Sequence, residues 1–343
     1  MPKSARMDDK EIVAVIIPAY RSADHIGEVL EHMPAFVRMV IVVDDCSPDH
    51  LCEVVEELAR RDKRIHLLRH ETNQGVGGAM VTGYNEAVRL GATILVKMDS
   101  DGQMDPAHLP ALLQPLLHYQ ADYSKGNRFL HGDALLSMPV VRRYGNAGLS
   151  MLTKAASGYW NIFDPANGYT ALRSVVWQAL DVQRLHRRYF FETSMLIELG
   201  MIGAVVQDVY IPAFYGNEKS SLSELNSLSE FPPRLFGAWI RRLWAHHVIR
   251  DFSALAVFTG MGFGLTGFGL VFGITNWLSN GLRQTPTPTG TIMIAVLSLI
   301  LGIQFLIQGL NLDIYNVPAK PISKKLQQLK QVKEELSSGT HSG

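Results

Sequence analysis

The stretch Leu95-Val-Lys-Met-Asp-Ser-Asp-Gly-Gln-Met-Asp-Pro106 decides how this chain reads. The run from Ala92 to Met98 has the length and apolar character of a strand buried in a parallel sheet. It ends abruptly in carboxylates. Asp99 and Asp101 lie two apart, so extended backbone sends both to the same side. Such a pair at the carboxyl end of a buried strand suits a hard divalent cation, Mg²⁺ or Mn²⁺, that also takes phosphate oxygens as ligands. A plain strand-end turn, with Asp105 capping a helix that starts at Pro106, accounts for the same residues without a metal. The surrounding chain has to decide between the two.

Upstream, apolar runs alternate with amphipathic ones. Glu11 to Ile17 reads as a buried strand ending at Pro18-Ala19-Tyr20, with Ser22 or Asp24 able to cap a helix to about Met33. Met39 to Val43 is the next strand and ends in Asp44-Asp45-Cys46-Ser47-Pro48-Asp49, followed by a helix to about Arg61. Ile65 to Leu68 is a third strand, and Asn73-Gln74-Gly75-Val76-Gly77-Gly78 opens a helix ending near Gly91. Beyond the central stretch, Pro106 to Tyr119 reads as helix and Ala121 to Lys125 as a strand ending in Gly126-Asn127-Arg128. This alternation predicts an α/β doubly wound, mostly parallel sheet with ligands at the strand carboxyl ends. The middle is less regular: a helix over 140–159 carrying Arg142 and Arg143, a loop and strand over 161–173 with Asp164, a helix from Phe190 with Glu192 near its start, and a β-rich segment around Asp208.

The last third has a different composition. No charged residue occurs from Phe252 to Leu282, and none from Gln284 to Leu312. The segments 252–278 and 291–312 are each long enough to cross a hydrocarbon core about 30 Å thick. The first is rich in glycine at small-xxx-small spacing, which permits close packing against the second span or against another copy in a homo-oligomer. Pro232 to Arg250 reads as an amphipathic helix, suited to a membrane surface or to ordinary packing. Arg234, Arg241, Arg242 and Arg250 precede the first span, Lys320, Lys324, Lys325, Lys330 and Lys333 follow the second, and the loop between holds only Arg283. That asymmetry puts the large domain and both termini in the cytoplasm. The expected organisation is a catalytic domain over 1–230, an amphipathic interface helix over 231–251, two transmembrane helices over 252–312 and a charged tail over 313–343 lying in water or on headgroups.

Lys and Arg together number 32 and Asp and Glu 32, so no electrostatic case for nucleic acid exists. Cys46 and Cys52 form neither a disulfide framework nor a metal spacing, which fits a reducing compartment. The polar, charged stretch 1–10 does not read as a signal peptide.

Four motifs, Ile17-Pro-Ala-Tyr20, Val43-Asp-Asp-Cys-Ser-Pro48, Asn73-Gln-Gly-Val-Gly-Gly78 and Met98-Asp-Ser-Asp-Gly-Gln103, follow one another in an order and spacing that resemble the family 2 glycosyltransferases. The likeness is greatest to the polyprenyl-phosphate branch, which includes dolichyl-phosphate mannose synthases and bacterial undecaprenyl-phosphate glucosyltransferases, and it covers 11–222. It implies a glycosyltransferase A-type, Rossmann-like fold. It also implies an inverting, metal-dependent transfer of a hexose from a UDP- or GDP-linked sugar to polyprenyl phosphate. By that resemblance Pro18, Ala19, Tyr20 and Asp45 hold the nucleoside, with capping of the next helix the less favoured alternative for Asp45. Gly75 lies close to the nucleotide, and Asp99, Ser100, Asp101 and Gln103 hold the diphosphate and its Mg²⁺ or Mn²⁺. Arg128 with Arg142 or Arg143 takes the acceptor phosphate, where a surface salt bridge is the alternative. Asp164 orients sugar or acceptor, or acts as base. Lys219 belongs to a loop that closes over the donor in relatives, and Glu218-Lys219-Ser220-Ser221 departs from their pattern. A transferase acting on a hydroxyl of another glycolipid uses the same donor site. An inactive membrane scaffold is the third reading, disfavoured by the intact Asp99-Ser-Asp101. Processive synthases are disfavoured, because they carry more spans and a Gln-x-x-Arg-Trp motif that Trp239-Ile-Arg-Arg-Leu-Trp244 lacks.

Overall fold

This computed structural model describes the backbone of residues 11–128, 140–165, 167–212 and 224–339, with the side chains of 140–147, 224–229 and 333–339 left out. The chain divides into two compact units, Met1–Leu235 with Pro318–Gly343, and Phe236–Val317.

In the first unit, apolar runs become strands and the amphipathic runs between them become helices. They are β1 (Val13–Ala19), α1 (Ala23–Glu31), β2 (Met39–Asp44), α2 (Leu51–Arg61), β3 (Ile65–Arg69), α3 (Val76–Arg89), β4 (Ile94–Lys97), α4 (Leu109–Leu117) and β5 (Tyr123–Asn127). There follow α5 (Val140–Ser157), β6 (Thr170–Arg173), the short α6 (Ser174–Trp177), α7 (Phe191–Ile202) and β7 (Val206–Tyr210); α8 (Glu224–Arg242) begins in the first unit and ends in the second. The described strands form one seven-stranded sheet in the order β3-β2-β1-β4-β6-β5-β7. All neighbours are parallel except β6, which runs antiparallel to β4 and β5. The order reverses at β1, between β2 and β4, and the crevice outside the carboxyl ends of β1 and β4 is the switch point where such sheets take ligands.

The period-2 alternation of the strands divides them between two layers. Val13, Val15, Ile17, Val40, Val42, Ile94 and Val96 pack with Ile26, Val29, Leu51, Val55, Leu112 and Leu116 of α1, α2 and α4. The opposite face, with Ile16 and Val43, receives α3 so closely that only Gly83 fits between. β1 runs on through Pro18-Ala19, two residues beyond the expected end. β4 pairs with β1 only as far as Ile16, so Pro18 lies where β1 has a neighbour on one side.

Two terminal details depart from expectation. Ser22 stands at the N-cap of α1 but its hydroxyl makes no cap bond. Asp49, from the loop after β2, accepts from the Ala23 N–H at 3.0 Å instead. The expected cap at Asp105 is present: its side chain accepts from the Ala107 N–H at 2.8 Å.

The C-terminal segment also belongs to the first unit, anchored at the start of its helix. The carboxylate of Asp122, fully buried before β5, accepts from the backbone N–H groups of Val205, Ile322 and Ser323 at 2.8–2.9 Å. The last two open α11 (Ser323–Gly339), so a buried charge is satisfied by capping a helix some two hundred residues away. Lys324 stands over the Tyr119 ring, and Arg173 lies on the same ring at 3.9 Å.

The second unit holds α9 (Ala254–Leu282) and α10 (Thr289–Tyr315), both long and apolar enough to cross a membrane. At 29 and 27 residues they extend about 40 Å each. Gly262 and Gly269 of α9 seat Leu306 and Leu299, and Gly302 and Gly309 of α10 face Thr266 and Thr259. In the same unit, Arg242 makes a bidentate ion pair with Asp313 at 2.6–2.8 Å. The amphipathic helix begins earlier than expected, at Glu224, with Pro232 and Pro233 inside it. It continues through 243–250 as a π-helical stretch.

Candidate functional site

The first wall of the crevice is made by the ends of β1 and β2 and the start of α3. Tyr20 is 44 % exposed at the end of β1, with the Arg21 guanidinium 5.3 Å from its ring centre. Asp44 and Asp45 are buried. Asp44 accepts from the Ser47 N–H at 2.8 Å and from the Cys52 thiol at 3.0 Å. Burial and this carboxylate push the Cys52 thiol up to about 11. Asp45 accepts from His70 Nδ1 at 2.7 Å, from the Gln74 N–H at 2.8 Å and from the Gly75 N–H at 2.7 Å. Both of its oxygens are thus engaged in holding the start of α3. The glycines there have a packing reason: a Cβ on Gly77 would collide with the His186 carbonyl, and one on Gly75, whose φ is +82°, would lie 2.5 Å from the Arg187 carbonyl. That same Arg187 carbonyl accepts from the Gly77 and Gly78 N–H groups at 2.8 and 3.2 Å. The loop 185–190 is therefore built onto the glycine segment, and Arg187 donates to the Gln74 side chain at 2.8 Å.

The second wall is the turn after β4. β4 ends at Lys97 and the chain turns over Ser100–Gly102, so extended geometry does not continue from Asp99 to Asp101. Gly102, at φ +75°, makes the turn. Asp101 accepts from the Gln103 N–H at 3.0 Å. Ser100 is buried, and the Asp99 carboxylate is one-third exposed. Lys97, buried in the strand, donates to Asp99 Oδ1 at 2.5 Å and reaches Glu192 Oε1 at 3.2 Å. Burial alone would lower the Lys97 ammonium, but the two carboxylates outweigh it and hold it above the ordinary lysine range. Among the described residues no group of three or more His, Cys, Asp or Glu converges to hold a metal by itself. Two carboxylates on an open turn nevertheless fit Mg²⁺ or Mn²⁺, which keeps waters and takes substrate phosphates for its remaining ligands.

The third wall lies at the end of β5 and before β6. Arg128 grips the buried Asp164 in a bidentate pair, Nε to Oδ2 at 2.9 Å and Nη2 to Oδ1 at 3.3 Å. Sequence reasoning named both residues but not their pairing. Asp164 starts a loop whose Asn167 carbonyl accepts from the buried Lys125 ammonium at 2.8 Å. Burial pushes Lys125 down to about 8, with Asp164 and Asp208 opposing. Burial likewise raises the Asp208 carboxyl, which accepts from Asn127 Nδ2 and the Phe163 N–H. Gly168 closes the loop against Asp99 Oδ2 and Lys97 Nζ, where a Cβ would collide with the ammonium. The loop thus joins the Arg128–Asp164 pair to the aspartates after β4. The side chains of Arg142 and Arg143, and all of Lys219, lie outside the described residues.

Lys97, Lys125 and the Lys97–Glu192 contact escaped the sequence reading. The available signal was a lysine ending the apolar strand β4 and sharing strand parity with Asp99; Lys125, in the polar strand Tyr123-Ser-Lys-Gly-Asn127, had no such signal.

Comparison with known proteins places this arrangement. Residues 14–180 match the model of the family described as glycosyl transferase family 2. A UDP-N-acetylglucosamine–dolichyl-phosphate N-acetylglucosaminyltransferase of Methanococcus voltae is 32 % identical over 196 residues, 53 % of this chain and 77 % of the relative. An undecaprenyl-phosphate mannosyltransferase of Micrococcus luteus is 30 % identical over 202 residues, 58 % of this chain and 82 % of the relative. Among solved structures, mannosyl-3-phosphoglycerate synthase of Rubrobacter xylanophilus superposes with a TM-score of 0.52 at 16 % identity, over 71 % of this chain and 77 % of that one, a likeness of fold. With its mostly parallel sheet, its motifs at the strand ends and these relatives, the chain belongs to the family 2 glycosyltransferases, in the branch of the dolichyl- and undecaprenyl-phosphate transferases.

Proposed function

We propose that this glycosyltransferase moves a hexose from a UDP- or GDP-linked sugar to a polyprenyl phosphate at a membrane, inverting the anomeric carbon. The observation that carries the reading is the Asp164–Gly168 loop. Asp164 holds Arg128 and Gly168 abuts Lys97 and Asp99, so the proposed phosphate-binding guanidinium and Asp99 lie at the two ends of one short segment.

Roles follow from the chemistry of each wall. Pro18, Ala19 and the exposed Tyr20 face the nucleoside, and Asp45 keeps the Gln74–Gly75 backbone in place beside it. Asp99, Asp101 and Gln103 would hold Mg²⁺ or Mn²⁺. The cation would supply charge neutralisation for the departing nucleoside diphosphate. Arg128, fixed in direction by Asp164, faces the acceptor phosphate, a group guanidinium suits. Arg142, Arg143 and Lys219 keep the acceptor- and donor-closing roles that resemblance implies for them. A phosphate monoester has a second pKa of about 6 and is already a dianion at neutral pH. Asp164 therefore need not remove a proton, and its work is to orient. Direct attack at the sugar carbon, with no covalent enzyme intermediate, gives inversion. The two apolar helices of the second unit suit an acceptor that lives in lipid, with the catalytic unit on the cytoplasmic side where nucleotide sugars are found.

The test is transfer of label from a panel of UDP- and GDP-sugars into undecaprenyl phosphate by the full-length protein with Mg²⁺ or Mn²⁺. A lipid product from one donor, lost with EDTA and in Asp101→Ala, supports the reading. Donor hydrolysis without lipid product would move the acceptor to a glycolipid hydroxyl.

A further inference from the structure

We infer that Glu192 and Lys97 set the aim and the charge of the Asp99 carboxylate, making them positioning residues for the divalent cation of the donor complex. The inference rests on the metal reading above and adds to it residues that no motif after β4 contains.

Lys97 is the last residue of β4, in register with Ile16 on one side and Thr170 on the other, and its side chain is 2 % exposed. A lysine in such a place is costly unless its charge is met. Two carboxylates meet it, Asp99 at 2.5 Å and Glu192, from the first turn of α7, at 3.2 Å. The Glu192 side chain is 14 % exposed, so this second contact is also largely shielded from water. Gly168 leaves room for the contact, since its Cα lies where a side chain would strike both the ammonium and Asp99 Oδ2.

The consequence concerns how one carboxylate serves two cations. Asp99 gives Oδ1 to Lys97, which leaves Oδ2 on the side of Gly168. A lysine satisfied by Asp99 alone would compete with an incoming divalent ion for the whole carboxylate. Glu192 takes a share of the ammonium, so Asp99 can turn part of its charge to the metal without stranding Lys97. Partners of metal ligands act in this way, by orienting the ligand and adjusting its charge.

The experiment measures Mn²⁺ binding by the full-length protein in the presence of UDP or GDP, from loss of the free-ion electron paramagnetic resonance signal, alongside the melting temperature. Glu192→Gln keeps an acceptor for Lys97 but removes the charge, and it should weaken Mn²⁺ binding by about tenfold or more. Lys97→Gln removes the competing cation and should shift binding the other way, while Lys97→Arg should stay near the unaltered protein. Asp101→Asn serves as the control for the metal reading itself. Unchanged Mn²⁺ affinity in Glu192→Gln, with binding lost in Asp101→Asn, would overturn the inference and leave the metal site standing. Unchanged affinity in Asp101→Asn would overturn both. A variant that loses only melting temperature, with full affinity in the folded fraction, would show that Glu192 merely holds α7 to the sheet and would likewise overturn it.

Discussion

Two aspartate pairs stand at the carboxyl ends of the strands that flank β1, and they have opposite fates. Asp44 and Asp45, after β2, are buried, and their oxygens are taken up by backbone N–H groups, His70 and Cys52. Asp99 and Asp101, after β4, are more open, and Asp99 answers to a single lysine. The first pair builds the wall of the crevice; the second is the one proposed above to meet the donor's cation. Residue type and place in the sheet do not separate the two pairs, whereas burial does.

The contrast can be broken at several points. Asp101→Ala should abolish transfer by about a thousandfold, several kcal/mol of lost charge stabilisation, with little change in melting temperature. Rates and melts of the same preparation check both halves. A second contrast, between the buried lysines, should show in pH. Lys97 is paired and Lys125 is held by a carbonyl, so Lys125 titrates at about 8 in the fold against 10.5 unfolded. Below pH 8 the fold bears the full cost of its buried charge. Between 8 and 10.5 the unfolded chain binds the proton that the folded chain has released, so stability rises with pH, by up to about 3 kcal/mol. Lys125→Met should lose that rise, measured as the difference between the denaturation curves of the two proteins at each pH. Asp45→Asn should be a lesion of stability first. Whichever way the amide sits, its NH₂ confronts a backbone N–H, of Gln74 or of Gly75, at a cost of about 2 to 3 kcal/mol. Transfer per folded molecule should fall far less than in Asp101→Ala. The smallest effect belongs to Arg69→Gln, which removes an exposed guanidinium 3.4 Å from Asp44 and should cost less than about 1 kcal/mol in urea denaturation.

What could be read from the chain and what could not follow from the range of the contacts. Buried parallel strands are local apolar runs, so β1, β2 and β4 and the carboxylates that end them were visible in order, and with them the switch point. Asp105 capping its own helix is equally local. The cap of α1 was misplaced because Asp49, twenty-six residues on, supplies it in place of Ser22. The glycines at 75–78 read in sequence as approach to a nucleotide; that Gly75 and Gly77 also meet the carbonyls of Arg187 and His186, more than a hundred residues away, no spacing announces. Glu192 beside Lys97, and Arg128 locked to Asp164, are likewise tertiary meetings that no spacing announces. The charges of the tail are local and show in sequence; the anchor at its start, one buried carboxylate before β5, is tertiary and does not.

That carboxylate has a consequence in time. Asp122 draws its three donors from Val205 and from Ile322 and Ser323, the last 201 residues later in synthesis. A ribosome adding about 5 to 20 residues per second reaches them on the order of ten to forty seconds after Asp122 emerges. Through that interval the nascent sheet carries an incompletely answered charge at the start of β5 while α9 and α10 are being made. The catalytic unit is completed last, by the returning chain, so a transcript cut short after the first apolar helix yields a sheet without its clasp.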